Sequence, residues 1–231
     1  MKNGGLLTNK EIAALVPMRH HSQRIPGKNY RDLAGKPLFH YILDTLFECP
    51  EIDRIVVDTD SDMILMDIKQ NFPDIIRIVR PEKLRADTIP MNEILLYDTS
   101  QVPAELYLQT HSTNPLLKSE TITRAIKEFT ANSPPYDSLF SVTRWQTRLW
   151  DENTLPINHD PDVLLQTQDL PPVYEENSCI YLFTADNLKK RGNRMGENPL
   201  MFETPVEEAL DIDEESDFLF AETLMKTLRK R

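Results

Sequence analysis

Glycine is scarce in this chain, with six residues against 17 prolines in 231, and this predicts stiff loops. Cysteine is scarcer: only Cys49 and Cys179 occur, without metal-ligand spacing, so they read as two reduced thiols. No apolar run approaches the roughly 20 residues that a bilayer crossing requires, so no membrane partner is expected. The opening residues, MKNGGLLTNKE, lack the apolar segment of a secretory signal, and a cytoplasmic protein is expected. Positive charge is also in deficit. Lys and Arg number 26 against 37 Asp and Glu, for a net charge of -11. Most of such a surface repels a polyanion, which argues against nucleic acid as a partner.

What is present is unevenly spread. Residues 1–40 hold seven Lys or Arg against two acidic residues, whereas residues 203–222 hold nine Asp or Glu and no Lys or Arg. A basic patch in an acidic chain suits a small anionic ligand. The acidic cluster suits either a metal ion or a solvated face.

Short, mostly non-alternating apolar runs recur at 12–18, 54–60, 75–81, 105–111, 138–144 and 178–184. They predict strands covered on both faces, as in a parallel sheet. Helical patterns lie between them. Ile122, Ala125, Ile126 and Phe129 fall on one face behind Ser119 as a cap. A second helix starts from Ser61 or Asp62. The last opens near Ser216 and puts Ala221, Leu224, Met225 and Leu228 on one side. The alternation predicts an α/β fold with right-handed crossovers. The whole chain, 1–231, reads as one domain. Residues 145–177, with four prolines and Trp145, Trp150 and Tyr174, are too long for an ordinary connection. They predict an excursion that covers a site or meets a second subunit.

The basic stretch MRHHSQRIPGKN follows the first predicted strand, at the edge where open α/β sheets bind ligands. Arg19 and Arg24 can fork onto phosphate oxygens, and Lys28 adds a point charge. Ser22 and backbone N–H groups could complete a cradle. Pro26-Gly27 supplies a turn that returns Lys28 and Asn29 towards it. The loop has one glycine and is not a Gly-Lys-Ser/Thr phosphate loop. Charge alone leaves a second reading open, a solvated loop paired with the acidic surface. Near the other end, Asp211 and Asp213 share a face if the segment is extended. They could hold Mg²⁺, or belong to an acidic helix start. Asp58 and Asp60 repeat the spacing, as nucleotide-site or structural residues. The five histidines read as structural.

The ordered series IPGKN, LAGKPL, VVDTD, RP with ADT, LQT with NPL, EENSCIYLF and ALDIDEESDFLFAE resembles the acylneuraminate (CMP-sialic acid synthetase) cytidylyltransferases, from about residue 11 to 228. The resemblance implies a Rossmann-like nucleotidyltransferase fold with a mostly parallel central sheet. It implies a homodimer in which the 145–177 insertion reaches the neighbouring site. The implied partners are CTP and an acidic sugar, and the implied cofactor is Mg²⁺ on Asp211 and Asp213. The sugar's anomeric hydroxyl would attack the α-phosphorus and release pyrophosphate. Arg19, Ser22 and Lys28 would grip the triphosphate, with Asn29 near the nucleotide. Arg80 would lie on the cytosine side, with Asp87 and Thr88 shaping that pocket. Gln109 and Tyr181 would contact the sugar.

Two departures stand out against that family. His20 and His21 replace small glycines and Gln23 replaces a lysine, with Arg24 a substitute for the lost charge. Where the family carries an arginine for the sugar carboxylate, this chain has Gln166 or Thr167, and Arg144 and Arg148 are the nearest cations. An acidic sugar other than N-acetylneuraminate is therefore expected. A non-sugar or phosphonate acceptor, or a nucleotide-binding homologue without turnover, are the alternatives.

Overall fold

The computed structural model describes residues 10–228. The first strand, β1 (Ile12–Met18), is buried at every position. It is followed by a tight hairpin of β2 (Asp32–Leu33) and β3 (Lys36–Pro37), then helix α1 (Leu38–Phe47). The chain continues as β4 (Arg54–Thr59), α2 (Asp62–Asn71), β5 (Ile76–Val79), α3 (Met91–Gln101), β6 (Leu106–Gln109) and α4 (Ser119–Asn132). It ends with β7 (Ser138–Trp145), β8 (Val173–Phe183), α5 (Ala185–Arg191), β9 (Pro199–Glu203) and α6 (Glu215–Leu228).

Seven strands form one sheet in the order β5-β4-β1-β6-β8-β7-β9. Only β8 runs against its neighbours; the β5-β4-β1-β6 and β7-β9 pairings are parallel. The mostly parallel sheet read from the apolar runs is present.

Alternation along the strands assigns the two faces. Ala14, Val16 and Val57 pack with Phe39, Ile64, Ile122 and Ile126 of α1, α2 and α4. Ala13, Leu15, Val56 and Tyr107 pack on the other face with Leu95 of α3 and Leu188 of α5. Both faces are thus covered, which is why the strands lack polar alternation. A third cluster joins Ile25, Leu33 and Leu38 to Ile212, Phe218, Ala221 and Met225, fastening α6 to the β1 loop and hairpin. Leu228, expected on that face, has a side chain outside the described residues.

The strand order reverses between β1 and β6. The chain steps outward from β1 through β4 to β5, then returns to β6 on the other side. The loops leaving β1 and β6 therefore part at the carboxyl edge and leave a crevice between them.

Some elements differ from expectation. Ser61 caps α2 and accepts from Ile64 N–H, but the residue before α4 is Lys118, so Ser119 is its first helical residue. β8 starts at Val173, five residues earlier than the apolar run indicated, because its first half is exposed and polar. Trp145 and residues 173–177 thus belong to strands, and the irregular excursion is 146–172. It is pinned by the buried Asn158, whose amide donates to Thr147 O (2.7 Å) and Pro171 O (2.9 Å) and whose oxygen accepts Leu149 N–H (3.0 Å). β9 is absent from the sequence reading.

Candidate active site

The loop after β1 is shaped by short-range contacts. Gly27 has φ 68°, and a Cβ there would lie 2.7 Å from the Tyr30 ring, so the turn into residues 28–30 needs glycine. His20 holds the loop from below. Its N–H donates to Asp60 Oδ1 (2.7 Å), its Nδ1 meets Ser61 Oγ (2.7 Å) and its ring stacks on Tyr30. Asn29 closes the loop, donating to Arg19 O (2.9 Å) and accepting from Ser112 Oγ (2.8 Å) in the loop after β6.

The result is a cleft of about 370 Å³ at the switch point, lined by Arg19, His21, Ser22, Gln23, Arg24 and Lys28 from one side and His111, Ser112 and Thr113 from the other. Asp87 completes its rim. Arg19 pairs with Asp87 (2.9 Å) and donates to Ile89 O (3.3 Å), while Gln23 donates to the other Asp87 oxygen (2.8 Å). Thr88, next to Asp87, is exposed. Burial, reinforced by the Arg194 and Lys28 charges, pulls the His111 pKa down to about 4, so His111 is neutral at pH 7.

The acidic segment before α6 meets this loop. Ile212 is fully buried and donates its N–H to Thr113 O (3.0 Å). Lys28 Nζ donates to Ile212 O (2.5 Å) and lies 3.4 Å from Asp213 Oδ1, and Arg24 pairs with the same oxygen at 2.6 Å. Asp211 and Asp213, on either side of buried Ile212, line one further cleft of about 710 Å³ with Trp145, Glu176, Ser178, Leu210, Phe220 and Leu224. The two aspartates thus stand where the two clefts adjoin.

Asp211 Oδ1 is buried without a hydrogen-bond partner. Burial, with the neighbouring Asp213 charge, raises the Asp211 pKa above the ordinary carboxylate value, against the lowering effect of Thr113 and Lys28. An orphaned carboxylate oxygen beside a second carboxylate is the donor set expected of a partial Mg²⁺ site completed by phosphate oxygens and water. Among the described residues, no group of three or more His, Cys, Asp or Glu could hold a metal by itself.

The other expected residues are distributed as follows. Arg80 is turned inward, 1% exposed, with Nε and Nη2 on the side chain and carbonyl of Asp58, and it lines neither cleft. Asp98 of α3 joins this pair. Burial, and then the neighbouring Asp58, push its pKa upward, so a neutral Asp98 can donate to Asp58. Arg144 bonds Gln146 Oε1 (2.8 Å), and Arg148 donates to Leu165 O. Both are thus engaged in holding the excursion. Gln109 and Tyr181 face each other across β6 and β8 and are fully buried. Lying over them is Arg194, which the sequence reading missed. Its guanidinium sits 3.5 Å from the Tyr181 ring centroid and donates to Gln109 Oε1 at 2.6 Å. Nothing in its local sequence marks it, because its position depends on β6 and β8 being neighbours.

β8 reaches this region through an irregularity. Its pairing with β7 shifts between Phe140 and Val142, and Ser178 takes φ 59°. Ser141 Oγ and Asn177 fill the gap, with Ser141 donating to Asn177 Oδ1 (2.6 Å) and accepting Ile180 N–H (2.8 Å). The shift leaves Glu176 and Ser178 on the larger cleft, both bonded to the Tyr181 hydroxyl.

Known proteins resemble this chain in sequence and in fold. The chain is 29% identical to the CMP-N,N'-diacetyllegionaminic acid synthase of Legionella pneumophila, over 93% of this chain and 96% of that one. It is 23% identical to the pseudaminic acid cytidylyltransferase of Campylobacter jejuni, over 92% and 95% of the two chains. It is 26% identical to N-acylneuraminate cytidylyltransferase A of Danio rerio, over 93% of this chain but only 50% of that longer protein. Among solved structures, a CMP:2-keto-3-deoxy-manno-octonic acid synthetase complexed with CTP superposes with TM-score 0.71 at 14% identity, covering 94% of this chain and 99% of that one. A 4-diphosphocytidyl-2C-methyl-D-erythritol synthase from Anaerococcus prevotii gives 0.69 at 15% identity, covering 94% and 97%. At such identities these two establish the fold. The family model described as cytidylyltransferase matches residues 13–228, nearly the whole chain, and the protein belongs to that cytidylyltransferase family.

Proposed function

We propose that the protein transfers CMP from CTP to the anomeric hydroxyl of an acidic sugar of the nonulosonic type. The acceptor oxygen forms a bond to the α-phosphorus, the bond to the bridging oxygen breaks, pyrophosphate leaves, and the hydroxyl proton is lost. The observation that carries this reading is the convergence on Asp213 of Arg24 and Lys28, 189 and 185 residues distant in sequence, at the switch-point cleft. Phosphoryl transfer needs charge neutralisation and in-line placement more than covalent help. Arg19, Arg24 and Lys28 supply cations for the phosphates, with Ser22 and Asn29 beside them. Asp211 and Asp213 would hold Mg²⁺, which when bound neutralises phosphate charge and lowers the pKa of a coordinated hydroxyl. The larger cleft on the far side of the aspartates is the acceptor's side.

The acceptor is a modified or different acidic sugar rather than N-acetylneuraminate. Support comes from the absence of a cation at positions 166 and 167 and from the relatives named for legionaminic and pseudaminic acids. The protein acts as a cytoplasmic homodimer, with the apolar excursion meeting the partner.

Pyrophosphate release is the test. Purified protein, CTP and Mg²⁺ are combined in turn with N,N'-diacetyllegionaminate, pseudaminate and N-acetylneuraminate. Release with one of the first two well above the third supports the reading. Equal turnover of all three removes the acceptor assignment, and no release with any acid removes the enzymatic one.

A further inference from the structure

We propose that Arg194 receives the carboxylate of the acceptor. This inference deepens the function proposed above and rests on its acidic acceptor. Its starting point is a cation with no direct ion pair. Among the described residues no carboxylate lies within 4.0 Å of the Arg194 guanidinium, although the side chain is largely enclosed. Its direct contacts are one hydrogen bond to a neutral amide and the face of a tyrosine ring, and the Glu176 carboxylate, bonded to the Tyr181 hydroxyl, acts on it only through space. Burial lowers its pKa, the sign of a cation short of solvation. A largely enclosed guanidinium without a directly paired anion is costly to hold, and its planar fork matches a carboxylate.

The surroundings fix where that anion would come from. Arg194 N–H is tied to Asn92 Oδ1 of α3 (3.1 Å), next to Met91 on the phosphate-side cleft. The following residues are clamped, with Gly196 N–H on Ser138 Oγ (2.7 Å) and Glu197 N–H and Asn198 N–H on the Asp137 carboxylate (2.8 and 3.0 Å). A Cβ on Gly196 would fall 2.0 Å from Asp137, so this tight approach requires glycine. The backbone therefore holds Arg194 in place. Under its guanidinium, the Tyr181 hydroxyl leads through Glu176 and Ser178 to the larger cleft. Arg194 is not itself among the lining of either cleft but is joined to both through these neighbours, and an acid bonding to the α-phosphorus would present its carboxylate between them. The two cations nearest in sequence to the expected position, Arg144 and Arg148, are engaged with the excursion.

The test compares wild type, Arg194→Gln and Arg194→Lys with N,N'-diacetyllegionaminate, pseudaminate and the methyl ester of each. Two readouts are used: pyrophosphate release, and calorimetric binding in metal-free buffer. The proposal expects Arg194→Gln to raise the acceptor KM and Kd at least tenfold, with KM for CTP within twofold. It expects Arg194→Lys to recover part of the loss. Wild type should prefer each acid to its ester, and Arg194→Gln should not. If Arg194→Gln keeps wild-type acid affinity or the acid-over-ester preference, the proposal is overturned while the transferase reading stands. If no acid drives pyrophosphate release but an acid binds and that binding is lost in Arg194→Gln, the carboxylate site stands and the transferase reading falls. If wild type binds neither acid, the proposal is overturned. Should Arg194→Gln fold poorly in a melting control, Arg194→Lys together with the wild-type acid-over-ester comparison decides the same question.

Discussion

Burial raises the pKa of two carboxylates in this protein, at two different places. Asp211 has one unpartnered oxygen and lines the larger cleft, whereas Asp98, with both oxygens unpartnered as a carboxylate, lies away from the clefts beside Asp58 and Arg80. Asp211→Asn keeps the shape and removes the charge. It is expected to lower kcat for pyrophosphate release about 10²-fold or more, with the melting temperature unchanged or raised. Asp98 is a matter of stability. Its folded pKa lies above the unfolded value, so its stabilising effect is complete below about pH 4 and is lost as pH rises towards the folded value. Asp98→Asn, a neutral isostere, should flatten that part of the decline, read as a smaller difference in melting temperature between pH 5 and pH 8. Arg80→Met strands the Asp58 charge and should cost about 3–5 kcal/mol in denaturant unfolding.

At the scale of elements, the alternation of apolar runs and helical patterns carries most of the architecture. A run such as IAALVPM is buried at all seven positions because helices cover both sheet faces. What the sequence hides is pairing over distance. The shifted register of β8 is filled by Ser141 and Asn177 meeting across strands, and two residues 36 apart announce nothing locally. β9, with the half-exposed sequence PLMFE, has no apolar run to reveal it. In the site, the basic loop and the Asp-x-Asp spacing were visible as charge patterns. Arg194 was not, and Arg80 looked available because burial cannot be read from an Arg-Pro pair. The Gly27 turn makes a sharp element-level prediction. Gly27→Ala forces a Cβ against Tyr30 in a left-handed conformation. It should cost about 1–2 kcal/mol in unfolding and raise the CTP KM several-fold, because Lys28 and Asn29 follow directly.

Across the whole molecule, the excursion carries a concentration of exposed apolar side chains, Trp150, Leu155, Ile157, Val163 and Leu164, the last 88% exposed. Patches of this kind mark protein contacts. Sedimentation at micromolar concentration is expected to give a dimer. Leu164→Asp with Ile157→Asp should shift it to monomer with the monomer fold intact by circular dichroism. A wild-type monomer under those conditions would remove the interface.

The pairing of Asp213 with Arg24 and Lys28 has one more effect. Before any nucleotide arrives, those two cations already share one carboxylate from within the chain. On the proposed reading, an incoming phosphate would displace a tethered carboxylate as well as mobile counterions, and the displaced Asp213 would be free to help hold a metal ion. An internal carboxylate takes the place of one mobile counterion, so affinity for CTP should fall with ionic strength less steeply than the number of phosphate-facing cations would suggest, read from Kd measured across a salt series.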